Sequence, residues 1–212
     1  MARSKPKPAT KSPIIIDAAD PQSWLYLLSA TGAGGMVFGV LRRRYSDRIN
    51  TAAEFARRKL QPVAPDDGPA AAPWRITAER ADVLLPVHAP DAFANPRTLF
   101  EAMDQHAVAH QPALLTYATI ALSDCARLHQ GWEAVRDFAH DIAVTRELAV
   151  MVVLHAPGRI AASNAPHAHL LIVPRRIGPH GIEHGTYDEE LIHDEGQALL
   201  ERLWSKHRIV VS

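Results

Sequence analysis

The sequence predicts an α+β domain, with a mostly antiparallel central sheet flanked by helices. Three observations lead there. The apolar periodicities fall in the order strand, helix, strand, helix, strand, strand, helix. The last two strands are joined by a loop with no helix, and a parallel pair needs a long crossover, so they form an antiparallel hairpin. The chain has 212 residues, 47% of them hydrophobic, which is enough to bury a core between a sheet and its helices.

The elements follow in chain order. Ser46 to Leu60 reads as a helix, with Ser46 or Asp47 as cap and Ile49, Ala52, Ala53, Ala56 and Leu60 on one stripe. Residues 62–74 are rich in Pro, Ala and Asp and read as an exposed linker. Ala81 to Pro86 is a short apolar strand. Asn95 caps the next helix, Pro96 occupies its first turn, and Leu99, Met103 and Ala107 make its stripe. Leu114 to Leu122 is a strand rich in β-branched and aromatic residues. Gln130 to Arg146 is an amphipathic helix carrying Trp132, Val135, Phe138, Ala139 and Ile142. Ala149 to Leu154 and His167 to Val173 are strands around a loop at 158–166. A Gly- and Pro-rich turn region covers Pro174 to Tyr187, and Asp188 to His207 closes as a helix.

This gives a basic tail over 1–20 read as disordered, an apolar segment and helix over 21–61, the linker, and an α+β domain over 75–212 that shares its core with 45–61. Lys plus Arg and Asp plus Glu are both 23, so no global field attracts nucleic acid. Local clusters exist at Arg42, Arg43 and Arg44, and at Arg57 and Arg58, and the plain reading of such a run is a solvated helix face. Cys125 is the only cysteine, which excludes a disulfide framework and a cysteine zinc site. Asp17 and Asp20 interrupt any signal peptide, so a cytoplasmic location is expected. Residues 24–41 carry no charge and precede three arginines. A membrane span there is the lesser reading, because Ser29, Thr31 and four glycines dilute it. A strand, a Gly-rich turn and an apolar helix start is the preferred one.

The chemistry concentrates in "LHAPGRIAASNAPHAHLLIVPRR", Leu154 to Arg176. Side chains alternate along a strand, so His167 and His169 share a face with Leu171 and Val173, while Ala168, Leu170 and Ile172 fill the other. His155 ends the neighbouring strand and can reach the same point. Buried imidazoles need partners. Three neutral ones suit a divalent cation and leave positions open for water or a phosphate oxygen. With twelve histidines in the chain, satisfied core histidines stand beside metal ligands as an equal reading. His180, His184 and His193 read as surface residues.

That stretch resembles the histidine motif of MobA/MobL-type conjugative relaxases: an apolar strand ending in His, a polar loop, Asn-x-His-Ala-His, an apolar strand and an Arg-containing turn. Asn164-Ala165-Pro166-His167 carries one extra residue. "WEAVRDFAHDIAVTRELAVMVVLHAP" and "VLLPVHAPDAFANPRTLFEAMDQHA" are similar to the segments before it. The resemblance implies an HUH-type fold. His155, His167 and His169 would hold a divalent cation, magnesium or manganese, with zinc or nickel as further options. The substrate would be single-stranded DNA at an origin of transfer, attacked by a tyrosine that becomes linked to the 5′ phosphate. Other mobilisation proteins are implied partners, and a small-molecule substrate is not expected.

Two positions depart from the pattern. "TAAEFARRKL" places Phe55 where the family has its nucleophilic tyrosine. "ALSDCARL" places Cys125 at the family's acidic position, with Asp124 one residue earlier as the substitute. Tyr45 is the replacement nucleophile to examine, beside Arg42 to Arg44, which with Arg57, Arg58, Arg175 and Arg176 form the expected DNA contacts. A nicking relaxase, an inactive DNA-binding accessory of a transfer complex, and a histidine-triad-like nucleotide hydrolase are the three readings. The last needs a third alternating histidine where Leu171 stands. No helicase or primase module is expected within these 212 residues.

Overall fold

The computed structural model describes residues 24–29, 35–68, 70–108, 110–160 and 164–211. In chain order they form β1 (Tyr26–Ser29), β2 (Met36–Leu41), β3 (Arg44–Tyr45), β4 (Arg48–Ile49), α1 (Ala52–Leu60), β5 (Arg80–Leu84) and α2 (Pro96–Gln105). Then follow β6 (Leu115–Ala121), α3 (Leu128–Arg146), β7 (Val150–His155), β8 (His167–Ile172), β9 (Arg175–Gly178), β10 (Gly181–Tyr187) and α4 (Glu195–Val211). Six strands make one sheet in the order β1-β2-β6-β8-β7-β5, and every neighbouring pair is antiparallel. β3–β4 and β9–β10 are separate two-stranded hairpins.

Alternation along the strands splits the core into two layers. Ala168, Leu170 and Ile172 of β8, with Val152 and Leu154 of β7 and Phe38 of β2, pack under Trp132, Val135 and Phe138 of α3 and Leu200 and Trp204 of α4. Leu171, Tyr117, Met151 and Val153 face the other way, under Phe55 and Leu60 of α1 and Leu99, Phe100 and Met103 of α2. Both faces of β8 are therefore covered, which is why its sequence is apolar at nearly every position.

Several expected boundaries move. Residues 46–49 belong to the β3–β4 hairpin, and Ser46 turns there at φ 52°. Neither Ser46 nor Asp47 caps α1. Thr51 does, accepting a hydrogen bond from the Glu54 amide at 3.1 Å. The α2 cap at Asn95 with Pro96 behind it is as the sequence predicts. The 174–187 region is the β9–β10 hairpin, turned at Gly181 with φ 109°. The closing helix starts at Glu195, seven residues later than expected. The apolar segment 24–41 forms β1 and β2, so the expected helix start is a strand. No helix among the described residues is long and apolar enough to cross a membrane. The residues of the basic tail, 1–20, lie outside the described residues.

Two polar side chains fix α1 over the sheet. The buried Asn50 amide donates to the carbonyls of Trp24 (3.1 Å) and Arg42 (2.9 Å). Asp104 at the end of α2 accepts from the Ala52 and Ala53 amides at 2.7 and 2.9 Å, satisfying two of the open donors of α1. Burial pushes the Asp104 carboxyl above its ordinary value, while these amides and Arg43 and Arg57 pull it back. From this anchor α1 crosses the sheet and ends against β7.

Candidate metal centre

Register brings the three histidines together. β7 and β8 pair antiparallel with His155 opposite His167, and Val153 opposite His169. All three side chains lie on the α1/α2 side of the sheet. His155 and His169 are buried, and His167 is half-buried at the strand end. The ring centroids are 4.5, 4.8 and 5.2 Å apart, and one nitrogen from each ring lies within 4.8 Å of the other two.

The remaining nitrogens decide which lone pairs are free. Nε2 of His155 sits 2.7 Å from the Lys59 carbonyl at the end of α1, so it carries the proton and donates. His155 Nδ1 then faces inward as an acceptor. Nδ1 of His167 sits 2.8 Å from the Ala165 carbonyl and donates likewise, leaving Nε2 available. Ala165 belongs to the segment that carries the extra residue before the motif. On β6, Thr119 and Tyr117 form the third support: the Tyr117 hydroxyl is 2.7 Å and the Thr119 hydroxyl 3.0 Å from His169 Nδ1. A hydroxyl both donates and accepts, so this pair can serve either tautomer of His169. Its Nε2 points at His155 Nδ1 across 3.2 Å.

Burial lowers His155 to about 4, against the hydrogen bond to the Lys59 carbonyl, which raises it, and with His167 and then the Lys59 charge lowering it further. His169 is held well below its ordinary value, first by burial and then by Lys59 and the other two rings. Both rings are thus neutral, as a cation ligand must be. The donor set fits a metal. Two nitrogens 3.2 Å apart can share one ion at about 2.0–2.1 Å from each. Every ring also has an oxygen partner on its second nitrogen, the arrangement that orients ligating histidines.

The other expected site residues are scattered. Phe55 lies where expected on α1, buried, with its ring edge-on to Tyr117 at 5.3 Å. Tyr45 does not approach the trio. Its ring packs on Tyr26 at 6.4 Å, and Tyr26 pairs through Val40 and Thr116 to Ile172, the far end of β8 from His167. Three strand spacings and three to five residues along the strand separate them, roughly 20 Å in all. Tyr187 pairs with Arg175 beyond that same far end. Of the four tyrosines in the chain, only Tyr117 touches the histidines, and it does so on the side of His169 away from the other two rings. Asp124 is exposed in the turn after β6, at the histidine end of the sheet, and accepts from Ser123 at 3.1 Å.

The arginines divide. Arg42, Arg43 and Arg44 follow the end of β2 at the rim opposite the trio. Arg42 stacks on Tyr26 at 4.2 Å, Arg43 donates to the Ala107 carbonyl at 3.4 Å, and Arg44 is exposed. On α1, Arg58 lies over Trp24 at 4.5 Å and 3.7 Å from Glu54. Arg57 is half-buried, its Nε enclosed without a partner. Arg175 is a correction to the expected DNA contacts. It is 2% exposed and donates to the carbonyls of Glu183 and His106, bracing β10 against α2. Arg176 is exposed and 3.5 Å from Glu147. His180, His184 and His193 are exposed, as expected. Leu171 is fully buried between the sheet and α1/α2, so no third alternating histidine exists for a nucleotide hydrolase of the histidine-triad kind.

Sequence reasoning missed Tyr117, Thr119 and Lys59. The first two had a signal, because hydroxyls two apart on a strand share its face. The register that aligns Thr119 with His169 had none.

Comparison with known proteins identifies a family and a similar fold. The MobA/MobL family model matches residues 75–211, a span that includes all three histidines. A solved structure from work on the molecular basis of vancomycin resistance transfer in Staphylococcus aureus superposes with a TM-score of 0.53 at 17% identity, over 64% of this chain and 70% of that one. No curated protein matches the chain. The antiparallel sheet with its paired helical layers and the match over most of the sequence together establish that the chain belongs to the MobA/MobL family.

Proposed function

We propose that the chain is a relaxase-like protein of conjugative mobilisation that holds a divalent cation on His155, His167 and His169 and binds single-stranded DNA there. The convergence of the three rings, each with its outer nitrogen on an oxygen, carries this reading. Magnesium or manganese is the first expectation, and zinc and nickel compete for imidazole sites. When bound, such a cation polarises a phosphoryl oxygen of the DNA backbone. The chain's own part is to keep two imidazoles neutral by burial and to aim all three. The expected setting is the cytoplasm, with DNA at an origin of transfer as partner.

Two observations favour a second reading, a DNA-binding accessory that does not nick. Phe55 has no oxygen to attack phosphorus, and the tyrosine that touches the trio, Tyr117, has its hydroxyl on His169 Nδ1. Incubation with single-stranded oligonucleotides and Mn²⁺ or Mg²⁺, followed by a denaturing gel and by fluorescence anisotropy, separates the two. Metal-dependent binding with no covalent band supports the accessory. A covalent band that disappears in Tyr45→Phe or Tyr117→Phe identifies a nicking enzyme and its nucleophile. Binding that ignores both metal and His169→Ala rejects the site.

A further inference from the structure

The end of the sheet away from the trio carries a second cluster that the histidine centre does not use. Arg42 leaves β2 and lays its guanidinium 4.2 Å over the ring of Tyr26. Tyr45, on the β3–β4 hairpin, meets the same ring edge-on, with centroids 6.4 Å apart. Nearby, Arg48 and Arg58 lie over Trp24 at 3.3 and 4.5 Å. Asn50 ties these segments together, because its amide donates to the carbonyls of both Trp24 and Arg42. The two tyrosine rings remain accessible: Tyr26 is 36% exposed and Tyr45 is half-buried.

The charge on this patch exceeds what the local fold uses. The chain as a whole is neutral. Here Arg48 and Arg58 share one carboxylate, Glu54, at 3.1 and 3.7 Å. Among the described residues, Arg42 and the exposed Arg44 have no carboxylate partner. An arginine that braces a fold sits against an acid, as Arg146 does against Asp188 at 2.6 Å. Open tyrosine rings interleaved with guanidiniums that lack an acid suit a ligand offering flat, unpaired rings on an anionic backbone. A duplex keeps its bases stacked and offers the patch only phosphates.

We propose that the rim formed by β1 and the β3–β4 hairpin is a second, metal-independent contact surface for single-stranded DNA. Tyr26 and Tyr45 stack bases, and Arg42 and Arg44 take the neighbouring phosphates. The surface lies roughly 20 Å from the trio. One strand crossing the sheet engages both, and linking the two contacts raises the affinity with no new contact at the metal. No bond is made or broken. The surface stands on its own residues and does not depend on the metal reading given above.

The test uses the full chain in a metal chelator, with a thymidine oligonucleotide as probe and fluorescence anisotropy as readout. The parent should bind the single strand, and bind a thymidine–adenosine duplex of the same length more weakly. Tyr26→Leu and Tyr45→Leu should each lower the affinity about tenfold, while Tyr26→Phe and Tyr45→Phe, which keep the ring, should bind as the parent does. Arg42→Gln combined with Arg44→Gln should flatten the dependence of log affinity on log salt by about two phosphate contacts. Parental affinity in both leucine variants, or an unchanged salt slope in the arginine variant, overturns the inference. So does a parent that prefers the duplex, or one that binds vesicles of anionic phospholipid and no oligonucleotide. If the leucine variants fail to fold, photocrosslinking of the parent to an iododeoxyuridine oligonucleotide decides the matter. Adducts on Tyr26 or Tyr45 support the surface, and adducts confined to other segments overturn it. Affinity that appears only with Mn²⁺ and is lost in His169→Ala belongs to the trio, so failure of the proposed function is read separately from failure of this surface.

Discussion

His167 shows how little separates a ligand from a surface residue. It is half-buried at the end of β8, and its ring donates to the carbonyl of Ala165. His167→Ala removes one of three donors without disturbing the core, so metal content should fall from near one equivalent to a small fraction, with the fold intact. Elemental analysis after gel filtration reads this directly, and unchanged content means the ion is held elsewhere. Tyr117 and Thr119 stand where ligating histidines elsewhere use carboxylates or carbonyls. Tyr117→Phe keeps the packing and deletes one of the two hydroxyls at His169 Nδ1. Loss of such an outer partner weakens metal binding by about 10–100-fold, and the lower end is expected because Thr119 remains. Calorimetry with Mn²⁺ measures it, and an unaltered affinity would show that Thr119 alone orients the ring.

Among the elements outside the histidine hairpin, β6 and α1 both support the centre, and α1 does so from the helical layer. Its first turn is tied down by Asp104 and its last turn supplies the carbonyl to His155. Asp104→Ala leaves two amides of α1 without their side-chain acceptor and should destabilise the protein by about 1–2 kcal/mol, seen as a lower urea midpoint. A midpoint unchanged within error would mean that water replaces the carboxylate at no cost. On the opposite face, the first turn of α4 holds a glycine pressed against the sheet. A Cβ at Gly196 would lie 2.6 Å from Phe38 and 2.9 Å from the Glu190 carbonyl. Alanine gains about 1 kcal/mol of helix propensity there, but overpacking costs about 1–3 kcal/mol, and the second effect wins where backbone is the obstacle. Gly196→Ala should therefore lower the melting temperature, and a rise would mean that α4 slides along the sheet.

For the whole molecule, the centre joins elements distant in sequence: α1, β6 and the β7–β8 hairpin. A ligand that binds only when all are assembled stabilises the folded chain by mass action, about 2.7 kcal/mol at a hundredfold excess over Kd. For a chain of this size that is a rise of about 5–10 °C in melting temperature with saturating Mn²⁺. Scanning calorimetry should show it in the parent and lose it in His169→Ala. Equal shifts in both would place the ion elsewhere. The separation of charge across the molecule also matters. Arg42 to Arg44 lie at the sheet rim opposite the trio, so a DNA strand contacting both them and the trio would have to cross the sheet's length.

Much of this was open to reading in the chain itself, and the physical reason is locality. Period-two alternation in His167–Val173 placed two imidazoles on one face, and a loop too short for a crossover forced β7 and β8 into a hairpin. Those two facts alone bring His155 to the pair. Asn95 and Pro96 likewise marked the start of α2, because capping is a matter of a few adjacent residues. What the chain could not declare were contacts between distant segments. The latter part of the 24–41 segment read as a helix start until β2 paired with β6. Arg175 looked like a phosphate ligand until the fold enclosed it between β10 and α2. Lys59 was one basic residue in a run of three until α1 docked over Tyr117. Register and docking are set by the packing of whole layers, a property of the assembled core and not of any local stretch.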